Sequence, residues 1–289
     1  MDEKMRVAKQ AFTICFTILL LSVPLPCRAD DRPIDGITDN SFLIEEAYNQ
    51  EEGVIQHIFS ALYTSDFRRH GWFFSFTQEW PIFSENHQFS FTIPSSHLRD
   101  EGQQQNGIGD VLLNYRYQAF KEGANVPAFA PRFSLILPSG SREKGTGNGV
   151  VGYQWNLPIS KKVAARVALH ANLGLTYLPQ VRVPLNLPGS PLSPKRSLLS
   201  YNVGASAIYA VSSRVNVLLE WVGMSEQSLD DLGRRQREFK TTLSPGLRAA
   251  IINKKDLQSV IGVGLPIGLN RAAENYGALL YLSIEHNIF

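Results

Sequence analysis

The sequence predicts an all-β protein, a transmembrane antiparallel up-and-down β-barrel of about twelve strands. Long stretches alternate apolar and polar residues with a period of two, and the connections between these stretches alternate between short and long. A strand that crosses a membrane needs about 9–11 residues, whereas strands of soluble proteins usually have about 5–6. The alternating stretches reach the membrane-spanning length, so a barrel wall is the structure they indicate.

The clearest strand is predicted at residues 162–177. Every second residue from Val163 to Tyr177 is apolar, and the residues between them are small or polar. Successive side chains of a strand point to opposite faces, so this pattern gives one wholly apolar face and one small, polar face. Such a strand fits a barrel wall with lipid on one side and a lumen on the other.

The first 29 residues have the features of a secretory signal peptide. A basic start precedes an apolar run at residues 11–23, and the small residues Cys27 and Ala29 stand at the −3 and −1 positions of a cleavage site after Ala29. Two alternatives stay open, an N-terminal membrane anchor and a lipoprotein modified at Cys27. The apolar run is short for a spanning helix, which needs about 20 residues.

Composition excludes several classes of protein. Both cysteines, Cys15 and Cys27, lie in the predicted leader, so the mature chain has no disulfide, thiolate metal site or cysteine nucleophile. The net charge is +2 and 19% of residues are charged, which predicts neither disorder nor nucleic-acid binding. After the leader no apolar run approaches 18 residues, so strands must make any membrane contact.

Residues 30–53 are predicted to form a periplasmic N-terminal linker that continues as a strap or as a plug. Residues 30–40 are polar, and residues 41–53 lack clean alternation. Ser41 is a suitable N-cap for a short helix. The sequence leaves open whether this segment straps the periplasmic end or enters the barrel.

Residues 54–289 are predicted to form the barrel, with short turns at the periplasmic end and longer connections outside. An even number of strands places both chain ends on the periplasmic side. The longest connection, residues 178–198, contains five prolines and cannot extend a central strand. The twelve predicted strands are residues 54–63, 71–80, 86–94, 107–120, 127–138, 148–159, 162–177, 199–212, 214–223, 238–252, 257–269 and 275–289.

The ends of the predicted strands carry further signals. Tyr and Trp residues recur there and suit the two headgroup regions of a membrane. The chain ends in Phe289, a terminal residue through which we expect the barrel-assembly machinery to bind. Outer-membrane lipid is the other expected partner, and the expected location is the bacterial outer membrane.

Charged residues on the non-apolar face predict the lining of the lumen. An Arg or Lys that faced lipid near the midplane would cost about 2–4 kcal/mol, so these side chains should point inward. Bases outnumber acids among them, which indicates a weak preference for anions; the alternative is that the charges pair and fill the barrel. The predicted lumen residues are Asp110, Arg116, Arg132, Arg166, His170, Glu220, Lys240 and Arg248.

Catalytic patterns are weak. The histidines are scattered, the G-x-S-x-G elbow is absent, and no helix follows the Gly-rich stretch at residues 145–149. His170 stands near Ser206 of the next strand, yet it is better explained as a lumen residue than as a catalytic base. No cluster has metal-ligand spacing. We therefore predict that the protein is not an enzyme, with no catalytic, cofactor or metal site.

Three stretches carry a resemblance to a known family. They are SFLIEEAYNQEEGVIQHI at residues 41–58, GIGDVLLNYRYQ at 107–118 and PRFSLILPSG at 131–140. The chain resembles the outer-membrane barrel proteins of the MetA-pathway phenol-degradation family over most of its mature length. The resemblance implies a barrel that takes up small, aromatic molecules, and it transfers no catalytic residues.

The predicted function is a passive outer-membrane channel for small, aromatic or hydrophobic molecules, with the solute itself unknown. Two alternatives remain. The first is a closed barrel with a structural or partner-docking role, filled by its own charges and by residues 41–53. The second is an outer-membrane lipid hydrolase. A filled interior is typical of about eight strands and an aqueous channel of about 16–18, so twelve strands fit a narrow pore or a pocket.

Overall fold

The prediction of a closed antiparallel barrel of twelve strands is confirmed by a computed structural model. It describes residues 41–66, 69–100, 103–182, 195–230, 233–254 and 256–287. In this part of the chain no helix is long and apolar enough to cross a membrane. The predicted leader, the terminal Phe289 and the centre of the 178–198 connection lie outside the described residues.

The described residues form sixteen β-strands, which are labelled in chain order. They are β1 Val54–Ser65, β2 Arg69–Ile82, β3 Ser84–Asp100, β4 Gln103–Ile108, β5 Val111–Tyr117, β6 Ala128–Phe129, β7 Arg132–Leu137, β8 Gly152–Asn156, β9 Ile159–Ala164, β10 Val167–Arg182, β11 Lys195–Ala210, β12 Val215–Leu229, β13 Arg235–Lys254, β14 Leu257–Gly264, β15 Ile267–Gly268 and β16 Tyr276–Asn287.

The ring closes between the first and last strands. Its order is β1, β2, β3, β5, β7, β8, β10, β11, β12, β13, β14 and β16, and β16 then pairs with β1 from Val54↔Asn287 to Ser65↔Tyr276. Every neighbouring pair in this ring is antiparallel. Closure leaves no free edge of backbone N–H and C=O groups, which is a requirement in lipid.

Four of the twelve strands of the ring are interrupted, which gives sixteen labelled strands. Pro131 lies in the gap between β6 and β7, Pro158 between β8 and β9, and Pro266 between β14 and β15. Proline has no N–H to donate to the ladder and breaks pairing where it stands. The fourth gap, between β4 and β5, contains Gly109 and Asp110.

One turn lies five residues from its predicted position. The sequence predicts it at residues 160–161, but the structure places it at Ala165 and Arg166, where Ala164 pairs with Val167. A two-residue turn reverses the in–out parity, because the paired residues Ala164 and Val167 lie on the same face. The irregularity in the ladder between Val167 and Ala168 restores that parity, and the small Ala165 continues the apolar register, so the pattern hides the break. The predicted strand at 162–177 is therefore divided between β9 and β10.

Several connections predicted as long loops are paired strand. Residues 95–106 are mostly hairpin, with Ser95↔Ile108 and Asp100↔Gln103 at its limits. Residues 224–229 and 235–237 likewise extend β12 and β13, to the pair Leu229↔Arg235. Polar strands that continue beyond the lipid still satisfy their backbone groups by pairing. The barrel thus has tight turns at one end, which we treat as periplasmic, and tall hairpins at the other, external end.

The outer surface carries the apolar face of the alternation. Leu169, Leu173 and Leu247 are among many large apolar side chains that are about half exposed there, whereas His170, Asn172 and other residues of the opposite parity are buried inside. This arrangement matches the sequence prediction that the apolar face meets lipid.

The outward position of Leu247 gives a stability prediction. Leu247→Arg puts a cation in the middle of the apolar band and should lower the free energy of unfolding by about 2–4 kcal/mol. Phe239→Arg, at the external edge of the band on the same strand, should lower it by about 0–1 kcal/mol. Denaturant titration of both variants in lipid vesicles measures the difference, and equal losses would contradict the assigned position of the band.

Candidate solute pathway

The N-terminal segment of the described chain lies inside the barrel. We call residues 41–50 the inner belt. They form bends rather than a helix, and Ser41, Ile44, Glu46 and Ala47 are all buried. The inner belt contacts inward-facing side chains from β3 round to β16, so it crosses the lumen along its inner wall.

Backbone N–H groups of alternate belt residues bond to polar side chains of the wall. The bonds at alternate residues are Leu43 N to Glu220 Oε1 at 3.0 Å, Glu45 N to Asn172 Oδ1 at 2.7 Å, Ala47 N to Ser160 Oγ at 2.7 Å and Asn49 N to Gln118 Oε1 at 3.1 Å. Gln50 N also donates to Gln88 Oε1, at 2.8 Å.

Two wall amides both accept from and donate to the belt. Asn172 accepts from Glu45 N–H and returns Nδ2–H to Glu45 O at 2.7 Å. Gln118 accepts from Asn49 N–H and returns Nε2–H to Ala47 O at 2.8 Å. Each amide side chain thereby replaces the paired strand that the belt backbone lacks.

Arg116 is the wall residue that binds the most belt oxygens. Its guanidinium donates to Glu46 O at 3.2 Å, Tyr48 O at 2.9 Å and Asn49 Oδ1 at 3.0 Å. The Glu79 carboxylate lies 3.6 Å from the same guanidinium. Arg116 is only 4% exposed, so its charge is neutralised within the barrel wall.

The belt carboxylates face three predicted lumen bases. Glu45 forms an ion pair with Arg132 at 2.6 Å. Glu46 lies 3.8 Å from His170 and 3.7 Å from Arg248. These contacts bring together basic side chains that are far apart in sequence. The belt carboxylates, rather than a solute in the open lumen, are the partners of the two arginines.

Phe42 anchors the belt in a niche of glycines. A Cβ on Gly246 would lie 2.9 Å from the Phe42 ring, and one on Gly262 would overlap it. On the other side the Phe42 ring stacks obliquely on Tyr281, with centroids 5.2 Å apart. The wall accepts this ring because glycine leaves its side of the sheet without side chains.

The periplasmic end of the belt is held by Tyr48, which donates to Glu122 Oε2 at 2.7 Å. Glu122 lies in the connection between β5 and β6 and also accepts from Lys162 N–H at 2.8 Å. Burial alone would raise the pKa of the Glu122 carboxyl, but hydrogen bonds from Tyr48, Lys162 and Lys161 outweigh burial and lower this pKa. Glu122 therefore stays ionised and keeps the belt end in place.

Two of the predicted lumen residues do not line the lumen wall as expected. Arg166 lies exposed in the β9–β10 turn, because the turn falls later than the alternation indicates. Asp110 is buried in the break between β4 and β5, where its carboxylate accepts from Gly140 N–H at 3.0 Å and Asn148 N–H at 2.8 Å. It therefore holds the β7–β8 loop. Glu220 is fully buried beneath the belt.

Lys240 faces inward near the external end. Its ammonium lies 3.4 Å from Glu226 and 3.4 Å from Glu274. This cluster of two carboxylates and one ammonium has a net charge of −1. The external mouth is therefore acidic at this point, whereas the sequence predicts an excess of bases in the lumen.

This cluster predicts a change of ion preference. Lys240→Gln leaves Glu226 and Glu274 without their cation and should shift the selectivity of the barrel toward cations. The measurement is the reversal potential across a bilayer with a salt gradient. Lys240→Arg keeps the charge and should leave the potential unchanged; an equal shift in both variants would contradict the electrostatic origin.

External to the belt, the lumen is lined by apolar side chains that the sequence prediction missed. We call them the upper lumen. Each of them points inward, because it lies an even number of positions along its strand from an inward-facing residue such as Glu79, Arg116 or Glu220. Small hydroxyl residues such as Ser75 lie between them. The upper lumen comprises Leu62, Phe73, Leu98, Leu112, Ile136, Leu178, Leu198, Val222, Met224 and Leu279.

On the periplasmic side of the belt there is a cavity of about 510 Å³. Its lining includes Glu46, His170 and Arg248 at the inner end, and Lys254 and Asp256 of the β13–β14 turn at the outer end. The belt thus separates a mixed-charge periplasmic vestibule from the apolar upper lumen.

A hydroxyl–imidazole pair lies beneath the belt, but it differs from the pair with Ser206 considered in the sequence. Ser160 Oγ is 2.7 Å from His170 Nδ1 and also accepts from Ala47 N–H. Ser160 has no exposed surface, so a substrate could not reach its oxygen while the belt is in place. Within the described ranges no group of three or more His, Cys, Asp or Glu could hold a metal ion.

Together, the geometry defines a class: a transmembrane barrel whose lumen is crossed by its own N-terminal segment. No family model matches the chain, and no curated protein matches it. Among solved structures, an outer membrane channel of the COG4313 group from Pseudomonas putida F1 is similar, with a TM-score of 0.65, 13% identity, and 85% of this chain and 99% of that chain covered.

A second similar structure is the NanC porin, with a TM-score of 0.50 and 11% identity over 80% of this chain and 100% of that chain. At these identities the likeness establishes the shared barrel fold. These two similar structures are an outer membrane channel and a porin rather than enzymes.

Proposed function

We propose that the protein is a passive bacterial outer-membrane channel for small molecules with an apolar, aromatic part, and that the inner belt restricts its lumen. The observation that carries this proposal is the division of the lumen: apolar side chains line the external half, and polar side chains bind the belt below it. A small number of polar groups in a mainly apolar lining is typical of sites for small organic molecules.

Three further points support the proposal. The apolar outer band and the closed ring suit a lipid bilayer. The similar structure from Pseudomonas putida F1 is described as an outer membrane channel. The resemblance of residues 41–58, 107–118 and 131–140 to the phenol-degradation family supports an aromatic solute.

Non-covalent belt contacts favour a channel over a permanently closed barrel. The belt is held by hydrogen bonds, ion pairs and the packing of Phe42 against Ala168, Ile208 and Leu218, and it is not part of the β-ladder of the ring. The belt can therefore move without unfolding the wall.

The test is the ion current through the refolded mature chain, residues 30–289, in a planar bilayer. We expect small, steady current steps that phenol or benzoate reduces in a concentration-dependent manner and glucose does not. Heat-shifted gel mobility verifies that the protein is folded. A folded protein without current steps would support the closed barrel instead, and equal effects of benzoate and glucose would contradict the aromatic solute.

A further inference from the structure

A group of four cations that form no ion pair with a described carboxylate lies on the outer surface at the external end of the barrel. The four are Arg182, Lys195, Arg235 and Arg237, all exposed. They lie on β10, β11 and β13, which together with β12 form four successive strands of the ring. We call these four residues the outer cationic patch.

The contacts of Arg237 show that the patch lies on the outer side of the barrel wall. The guanidinium carbon of Arg237 lies 5.3 Å from the ring centroid of Tyr201, and Tyr201 is 43% exposed on the outer face. Arg237 also donates to Ser225 Oγ at 2.9 Å. Phe239, two residues along β13, is exposed on the same face. The patch therefore faces the lipid phase or its headgroups, not the lumen.

Strand register gives the height of the patch above the apolar band. Tyr201 pairs with Ser225, which pairs with Phe239, and these rings mark the external edge of the band. Arg237 and Arg235 follow at the next two outward positions of β13. Each pair of residues advances about 5 Å along the membrane normal in a tilted strand, so the patch begins at headgroup height.

Among the described residues no carboxylate forms an ion pair with a cation of the patch. Arg182 and Lys195 are directly opposite each other in the β10–β11 ladder. Two like charges in this position repel each other and destabilise the pairing. Arg235 and Arg237 donate to backbone oxygens, those of Ser197 at 3.0 Å and Leu199 at 2.8 Å. By contrast, Arg116, Arg132 and Lys240 of the interior each have a carboxylate within 4 Å.

We propose that the outer cationic patch binds the phosphate groups of an anionic lipid in the external leaflet. Guanidinium groups pair with phosphate through two parallel hydrogen bonds, and cations just beyond an aromatic girdle lie at the height of lipid phosphates. The rings of Tyr201 and Phe239 directly below meet the acyl chains of the same lipid. A phosphorylated glycolipid fits several cations at successive heights better than a lipid with one phosphate.

The experiment uses the full mature chain purified in detergent, with diphosphoryl lipid A as the probe and native mass spectrometry as the readout. Arg235→Gln with Arg237→Gln removes two charges of the patch. We expect this variant to bind lipid A about tenfold or more weakly, since each cation near a membrane surface contributes measurably to anionic-lipid binding.

The matched control is Arg166→Gln with Arg214→Gln, which removes two exposed arginines from the turns at the opposite end. The control should bind lipid A as the unmodified protein does. Equal affinity of the patch variant and the unmodified protein would overturn the proposal. Competition by inorganic phosphate at the concentration of lipid A would also overturn it, because the patch would then be a site for a free anion.

Discussion

Deletion of the inner belt is expected to raise the single-channel conductance of the refolded barrel several-fold. The belt runs across the lumen from the Phe42 niche to Tyr48 and fills it with backbone and side chains. Without it the wall groups that it contacts become solvated by lumen water, so the barrel should keep its fold. The measurement compares conductance of the chain with and without residues 41–50 in the same bilayer and salt.

Two controls separate removal of the belt from shortening of the chain. Deletion of residues 31–40 shortens the chain by the same length and should leave conductance unchanged. Replacement of residues 41–50 by a Gly/Ser linker keeps the length but removes the anchors, and it should raise conductance as the deletion does. If the deleted protein shows heat-shifted mobility but unchanged conductance, the belt does not restrict the pathway.

Loss of the Arg116 contacts should release the belt without removing it. Arg116→Met abolishes three hydrogen bonds to the belt, and hydrogen bonds from a charged group contribute about 1.5–3 kcal/mol each. Glu79→Gln is combined with it so that no buried carboxylate is left without its cation. A loss of about 4 kcal/mol would raise the released population about a thousandfold.

The readout is the frequency of high-conductance openings in long single-channel recordings. The Arg116→Met/Glu79→Gln variant should show frequent openings to the level of the belt deletion. Arg214→Met, in the exposed β11–β12 turn, is the control and should show the openings of the unmodified protein. An unchanged opening frequency in the double variant would show that Arg116 does not hold the belt.

The strands were predictable because each one carries its own evidence. Lipid on one side and a lumen on the other impose a period of two over a whole crossing, as in β11 and β12. The breaks at Pro131, Pro158 and Pro266 follow from a local rule as well. The Ala165–Arg166 turn did not, because the irregularity in the ladder between Val167 and Ala168 restores the parity that the turn reverses.

The path of the inner belt was not predictable, because it depends on contacts with residues that are far away in the sequence. Its residues have no periodicity, and their wall partners are distant in the chain: Leu43 and Glu220 are 177 residues apart. The sequence did identify several of the charged partners, including Arg132 and Arg248, from the cost of placing them in lipid. It could not show that the belt, rather than solute, meets them.

The upper lumen left a signal that the alternation analysis did not use. Two adjacent apolar residues in a strand place apolar side chains on both faces, and such pairs occur at residues 73–74, 112–113, 198–199 and 279–280. One member of each pair, such as Phe73, faces the lumen. Departures from alternation toward apolar residues therefore contain information about the pathway.

The position of Phe42 has a consequence for the order of folding. Its niche is built from Gly246 and Gly262 of β13 and β14 and from Tyr281 of β16, which are among the last strands made. A segment near the start of the chain thus finds its binding surface only after the final strands have joined the ring. Closing so large a loop is entropically costly until the wall exists. Docking of the belt is therefore the last step of assembly, and only a completed barrel acquires its restriction.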